Sequence, residues 1–239
     1  MIPKIIHFCW LSNDPFPEKI QYCIDSWKRK LPDYEIILWN LEKFNIDSSL
    51  WCKQAFSVKK YAFAADYIRC YALYNYGGIY LDSDVEVLKK FDDLLGLPYF
   101  IGFDYSQQFE PAIMGYEPHN LILNDMLEYY NGRAFINEDG SYNTRPLPAV
   151  MEEVVRNSCS VLPINGINEF KNEVGVFCLF PYDFFSPKRQ DNFKLEKTNR
   201  TYSIHHFNAS WYSPRQKLFR FVSSIVGFKM ASILSKLLK

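Results

Sequence analysis

Apolar and polar positions follow one another in a pattern that predicts strands and helices in turn along most of the chain. Residues 2–10 form an apolar run typical of a buried strand. Residues 17–31 carry apolar side chains at helical spacing and begin with a proline, which favours a first helical turn. Residues 34–39 are a second apolar run. A strand, a helix and a second strand in this order indicate a parallel α/β sheet.

The most helical stretch is residues 55–76, which contain neither glycine nor proline. Gly77 favours the end of that helix, since glycine accepts the positive φ of a helix C-terminus. A short apolar strand at 79–81 then leads directly into Asp82-Ser83-Asp84. The pattern predicts further elements as follows: short helix 47–54, extended segment 85–88, strands 99–104, 112–116, 176–180 and 201–205, helices 119–130 and 148–157, and a long loop at 132–147.

The composition is that of a globular protein, with 48% hydrophobic and 23% charged residues. Its 27 basic residues balance 27 acidic ones, which argues against a nucleic-acid partner. Aromatic residues reach 18%, which fits an aromatic core or a ring-lined surface for sugars and bases. The six cysteines form no C-x-x-C pair, which is typical of buried cysteines in a reducing compartment. The sequence shows no signal-peptide pattern, and no apolar run is long enough to span a membrane. We therefore expect a cytoplasmic protein.

The last 23 residues differ from the rest of the chain. Residues 217–239 contain five Lys or Arg residues and no acid, and their apolar residues fall at helical spacing. This pattern favours a helix that binds the inner face of the cell membrane, while a helix docked on the domain has the same pattern. We therefore divide the chain into a folded domain, 1–216, and a basic tail, 217–239.

The strongest chemical signal is the pair Asp82 and Asp84 at the end of a short strand. Two carboxylates that flank one residue can both reach a divalent cation such as Mg²⁺ or Mn²⁺. A D-x-D match is weak alone, but the carboxyl end of an α/β strand is where ligands bind. On the preceding helix, Asp66 and Arg69 share one face among apolar neighbours. A buried pair of this kind is costly, which favours a site over a plain salt bridge.

Two further segments stand near strand ends. Trp10 follows the first strand, where its ring fits either core packing or stacking on a nucleotide base. The segment His205 to Trp211 follows a late strand and combines imidazole, amide, hydroxyl and indole groups, a mixture typical of binding sites.

Taken together, these motifs resemble glycosyltransferase family 32, a family of sugar transferases with a DXD motif. The resemblance rests on Ile5-Ile6-His7-Phe8-Cys9-Trp10, Ala64-Ala65-Asp66-Tyr67-Ile68-Arg69, Gly77-Gly78-Ile79-Tyr80-Leu81-Asp82-Ser83-Asp84, Ile204-His205-His206 and Ser210-Trp211. It implies a GT-A type fold for residues 1–216, with a mixed, mostly parallel sheet flanked by helices.

The resemblance also implies roles for individual residues. Trp10 matches the residue that stacks on the nucleotide base, and Asp66 and Arg69 match the pair that holds the donor sugar. Asp82 matches the acid near ribose and sugar, and Asp84 a direct metal ligand. The implied metal set is Asp82, Asp84 and His205. The implied catalytic set is Asp66, Arg69, Asp82 and Asp84, and Asn208, Ser210 and Trp211 complete the nucleotide-sugar site.

The implied reaction is metal-dependent transfer of a hexose with retention at the anomeric carbon, in surface polysaccharide synthesis. A nucleotide-diphosphate sugar is the expected donor, with a UDP-hexose favoured over GDP-mannose, and a glycan or lipid-linked molecule is the expected acceptor. Mn²⁺ or Mg²⁺ is the expected cofactor. Two alternatives stay open: a haloacid-dehalogenase-like phosphatase, which also uses D-x-D, and a catalytically inactive sugar-binding protein.

Overall fold

The structure is a computed structural model that describes residues 1–207, and residues 208–239 lie outside the described part. The strands are β1 Ile5–Cys9, β2 Glu35–Trp39, β3 Gly78–Leu81, β4 Val85–Val87, β5 Tyr99–Phe103, β6 Phe109–Tyr116, β7 Ser160–Pro163, β8 Val176–Leu179 and β9 Ser203–His205. The helices are α1 Glu18–Lys30, α2 Leu50–Ser57, α3 Tyr61–Tyr76, α4 Leu121–Tyr130, α5 Leu147–Ser158 and α6 Tyr182–Phe185.

Five strands form the central sheet in the order β2-β1-β3-β6-β5. Strand β1 pairs in parallel with β2 and β3, whereas β6 is antiparallel to both of its neighbours, β3 and β5. Four of these five strands therefore run in one direction. This confirms the predicted mixed, mostly parallel sheet.

Apolar side chains pack on both faces of the sheet, because successive residues of a strand point to opposite sides. Tyr80 and Met114 belong to a core layer that also contains buried residues of α2, α3, α4 and α5. Ile79 and Leu81 belong to the opposite layer, with buried residues of α1 and α6. The predicted helices that flank the sheet are thus present on both sides.

The strands β1, β3 and β5 run in the same direction, so their carboxyl ends meet at one edge of the sheet. Trp10 follows β1, Asp82 follows β3 and Asp104 follows β5. A separate antiparallel pair, β4 and β9, places His205 opposite Val85, one residue beyond Asp84. The topology therefore brings a residue from the end of the described chain to the D-x-D motif.

The predicted helix 55–76 is wrong as one element, because α2 ends at Ser57 and α3 begins at Tyr61. Lys59 makes the turn with φ at 58°, a left-handed conformation uncommon for a residue with a side chain. The turn lets the indole Nε1 of Trp51 donate to the carbonyl of Phe63 at 2.7 Å, and Trp51 is 1% exposed. Packing α2 against α3 thus stabilises the fold more than one continuous helix would.

The predicted end of α3 at Gly77 is confirmed. Gly77 has φ at 62°, and a Cβ added there would lie 2.7 Å from Cδ of Pro118, so a larger residue does not fit. Elsewhere, β6 begins three residues before the predicted strand 112–116. The half-exposed strand β7 and the four-residue helix α6 were not predicted, since neither carries a clear apolar period.

Candidate active site

Asp82, Asp84 and His205 form a cluster at the strand edge. Each offers one ligand atom, and these atoms lie within 4.8 Å of one another. The Nε2 atom of His205 is 3.3 Å from Oδ1 of Asp84. A cation between them fits the donor set, because two carboxylates and an imidazole suit a divalent metal. The structure therefore brings together the three residues that the resemblance assigns to the metal.

A tight turn after β3 shapes this cluster. The backbone N–H of Asp82 donates to the carbonyl of Ala112 on β6, and the N–H of Val85 donates to the carbonyl of Asp82. The N–H of His206 donates to the carbonyl of Asp84 at 3.1 Å. Hydrogen bonds of the backbone on both sides thus fix the main chain of the two acids.

Arg69 joins the helix motif to the D-x-D motif. Its Nη2 atom lies 3.1 Å from Oδ1 of Asp66 and 3.2 Å from Oδ1 of Asp82, and its Nη1 atom donates to the carbonyl of Pro111 at 2.9 Å. The guanidinium also lies over the ring of Tyr80, 4.5 Å from its centroid. Arg69 and Asp66 are 5% and 7% exposed. This pair is therefore buried at the cluster and is more than a surface salt bridge.

Burial sets the electrostatics of this network. It raises the pKa of Asp66 to about 7, against the opposing effect of the Arg69 guanidinium. It also raises the pKa of Asp82, again opposed by Arg69. Burial alone would lower the pKa of Arg69, but Asp82, Tyr80 and Asp66 raise it well above its ordinary value. The positive charge of Arg69 thus lies between the carboxyl groups of Asp66 and Asp82, and burial makes both carboxyl groups harder to ionise.

Glu110, Ser186 and Tyr80 also belong to the site, and the sequence analysis assigned no role to any of them. Glu110 Oε2 lies 3.2 Å from Nδ1 of His205 and accepts from the hydroxyl of Ser186 at 2.9 Å. The hydroxyl of Tyr80 donates to Asp82 at 3.1 Å. Burial alone would lower the pKa of His205, but Glu110 and Asp84 raise it well above its ordinary value.

Trp10 lies at the same edge, half-buried, with different partners. Its Nε1 donates to the carbonyl of Asp14 at 2.9 Å, and its ring meets that of Phe16 edge-on with centroids 5.1 Å apart. Those contacts hold the ring beside the strand end and leave part of it exposed.

The predicted residues Asn208, Ser210 and Trp211 lie outside the described residues, and so does the tail 217–239.

Within residues 1–207, no helix combines the length and apolar character needed to cross a membrane.

Comparison with protein families finds a match over residues 17–100, to the glycosyltransferase sugar-binding region containing a DXD motif. The match includes Asp66, Arg69, Asp82 and Asp84, and it ends before Glu110 and His205. It favours the transferase interpretation of D-x-D over the phosphatase alternative.

Curated relatives agree with this family. Inositol phosphoceramide mannosyltransferase 3 of Schizosaccharomyces pombe is 35% identical over 131 residues, which cover 51% of this chain and 35% of that protein. The mannosyl phosphorylinositol ceramide synthase SUR1 of Saccharomyces cerevisiae is 34% identical over 146 residues, which cover 57% of this chain and 37% of that protein. The chain thus spans about a third of the length of these relatives. Among solved structures, the PaToxG glycosyltransferase is 23% identical with a TM-score of 0.48, covering 65% of this chain and 69% of that one.

Proposed function

We propose that the protein is a glycosyltransferase with a nucleotide-diphosphate sugar as donor, because residues 17–100 match the glycosyltransferase sugar-binding region containing a DXD motif. One observation carries the proposal: the ligand atoms of Asp82, Asp84 and His205 lie within 4.8 Å at the edge of the sheet. Asp82 and Asp84 come from the matched region, and His205 comes to them through β9.

Mn²⁺ or Mg²⁺ is the proposed cofactor, held by Asp82, Asp84 and His205. Carboxylate oxygens suit both ions, and the imidazole nitrogen fits Mn²⁺ better than the harder Mg²⁺. When bound, the cation would stabilise the charge that develops on a departing diphosphate.

Asp66 and Arg69 are proposed to orient the donor sugar. Arg69 is held at its Nη atoms by Asp66, Asp82 and the carbonyl of Pro111, so it fixes the positions of the two carboxylates. Asp66 forms an ion pair with Arg69 through one carboxylate oxygen. Its remaining lone pairs can accept hydrogen bonds from sugar hydroxyl groups. Trp10 is proposed as one wall of the base pocket, since its ring is half-exposed at the same edge. Asn208, Ser210 and Trp211 are proposed to contact the nucleotide sugar.

Two donors deserve comparison. The names of two relatives describe mannose transfer to inositol phosphoceramide, which favours nucleotide-activated mannose and a lipid acceptor with a phosphoinositol head group. The family resemblance favours a UDP-hexose and a glycan or lipid-linked acceptor in surface polysaccharide synthesis. A cytoplasmic enzyme bound at the inner membrane face through residues 217–239 fits either acceptor.

Retention at the anomeric carbon is the proposed stereochemistry. Retention by two displacements requires a carboxylate next to the anomeric carbon, and Asp66 and Asp82 are carboxylates held at this edge by Arg69. Attack from the same face, with the departing diphosphate as base, needs no such group. Proton NMR of the first product formed measures the anomer, and an inverted product would contradict the proposal.

The experiment that tests the function measures release of nucleoside diphosphate from GDP-mannose and from UDP-hexoses, with Mn²⁺ present or removed by EDTA. Asp84→Asn should abolish Mn²⁺-dependent release because it removes a charged metal ligand. The matched control is Asp47→Asn, an exposed acid paired with Lys53 on the surface, and it should leave release unchanged.

Three outcomes separate the candidate functions. Release in wild type that EDTA abolishes supports a metal-dependent transferase. Release of inorganic phosphate from a phosphomonoester such as a sugar phosphate, with no nucleoside diphosphate released from either donor, would indicate the phosphatase. Donor binding without any release, in the presence of Mn²⁺ and of lipid and glycan acceptors, would indicate an inactive sugar-binding protein.

A further inference from the structure

His205 has two ring nitrogens, and the structure gives each of them a carboxylate. Nε2 faces Oδ1 of Asp84 at 3.3 Å, whereas Nδ1 faces Oε2 of Glu110 at 3.2 Å on the opposite side of the ring. Asp84 is a candidate metal ligand. Glu110 lies outside the three-residue metal cluster and outside the matched family region.

Glu110 is itself held in place from a different part of the chain. It is 5% exposed on β6, and the hydroxyl of Ser186 donates to the same oxygen that faces His205. Its other oxygen accepts from the N–H of Ala112 at 3.3 Å. Ser186, just after α6, is completely buried. Within residues 1–207, the ion pair of Glu110 is with His205 alone. Ser186 and Ala112 therefore hold the buried carboxylate of Glu110 in a position where it contacts the ring of His205.

The backbone alone does not orient the ring of His205. Pairing of β9 with β4 fixes where the residue lies, but rotation about the side-chain bonds decides which nitrogen faces Asp84. A histidine that binds a metal commonly donates its other ring N–H to a carboxylate, which fixes the tautomer and the ring orientation.

We propose that Glu110 is the positioning residue of the metal site: it holds the proton of His205 on Nδ1 and directs Nε2 toward the cation, while Ser186 orients Glu110. This inference rests on the proposed function, because it assumes a cation between Asp84 and His205.

Glu110→Gln is the direct test, with Mn²⁺ alone as the probe and free Mn²⁺ measured by electron paramagnetic resonance. The variant keeps the shape but loses the charge, so Mn²⁺ affinity should fall about 10- to 100-fold, the usual effect of removing such a partner. In a His205→Ala background, Glu110→Gln should cause no further loss. A purely structural role for Glu110 would produce the same loss in both backgrounds.

Asp104→Asn is the matched control. Asp104 is 3% exposed at the end of β5 and accepts from Gln190 and from the N–H of Gln108. Its charge acts on His205 through space, but within residues 1–207 it has no hydrogen bond or ion pair with that ring. Asp104→Asn should therefore cost much less Mn²⁺ affinity than Glu110→Gln, because it removes a nearby charge and no contact to the ring. Should Glu110→Gln not fold, as shown by thermal melting, Ser186→Ala tests the same chain of contacts, and a several-fold loss of affinity in that variant is the supporting result.

The outcomes distinguish this proposal from the function on which it rests. If wild type binds Mn²⁺ and both Glu110→Gln and Ser186→Ala bind it equally well, the role of Glu110 is wrong and the metal site stands. An equal loss with and without His205 also overturns the role of Glu110. If wild type binds no Mn²⁺, the metal assignment and this proposal fail together.

Discussion

His7 should make the stability of the fold depend on pH, because its ring is buried in a neutral form. The Nε2 atom donates to the carbonyl of Gly77 at 2.8 Å, and Nδ1 accepts from the indole N–H of Trp39 at 3.0 Å. A proton on Nδ1 would point at another N–H and break that bond. Burial, the largest cause, lowers the pKa of His7 to about 4.

The sign and size follow from proton linkage. In the unfolded chain His7 binds a proton near its ordinary pKa of 6.5, whereas in the folded protein it does so only near 4. At this residue the unfolded state therefore binds more protons between these pH values, and the contribution of His7 to stability falls as the pH falls through this window. The difference corresponds to about 3 kcal/mol of unfolding free energy lost between pH 7 and pH 4.

Urea denaturation at several pH values measures this loss, and His7→Gln is the comparison because glutamine does not titrate. The variant should be less stable than wild type at pH 7, and the gap should narrow by about 3 kcal/mol toward pH 4. A gap that stays constant with pH, or an NMR titration of the ring with a pKa near 6.5, would refute the buried neutral histidine.

Three further predictions concern the donor site and the tail. Trp10→Ala should raise the KM for donor about 5- to 150-fold, since base stacking is worth about 1–3 kcal/mol; a loss of melting temperature with KM unchanged would show that the ring only packs. Asp66→Asn should keep the fold, because the amide oxygen still accepts from Arg69, but should raise the KM for donor in initial-rate assays. Deletion of residues 217–239 should leave donor hydrolysis intact and abolish cosedimentation with anionic vesicles, since each cation near such a surface contributes about 1 kcal/mol; binding that survives the deletion would contradict the membrane role.

Local patterns in the sequence predicted the elements that carry the motif residues. The apolar run before Asp82 and the glycines after Tyr76 mark β3 and the end of α3 directly, because period and φ preference act within a few residues. The turn at Lys59 was missed for the converse reason. Its left-handed conformation is imposed by packing of Trp51, and no glycine marks it.

The second half of the candidate site could not be found this way. Glu110 meets His205 across 95 positions of sequence and Ser186 across 76, so no local period connects them. An isolated glutamate in an apolar strand is nevertheless a usable signal, since a charge is rarely buried without a partner. Here the signal was hidden, because Gln107 and Gln108 precede Phe109 and the apolar run begins only at Ala112, whereas β6 is buried from Phe109 onward.

The contacts of Arg69 also decide which charge substitutions are informative. If Asp66 and Arg69 formed an isolated pair, exchanging the two charges would restore the salt bridge, and recovered stability would show that stability was its only role. The structure places Asp82 3.2 Å from the same guanidinium. After the exchange, a carboxylate at position 69 would face Asp82, and two like charges at that depth are unfavourable whatever the pair does for a ligand. Lost stability in the exchange is therefore expected from the Asp82 contact alone, and only the single neutral change at Asp66 separates donor binding from folding.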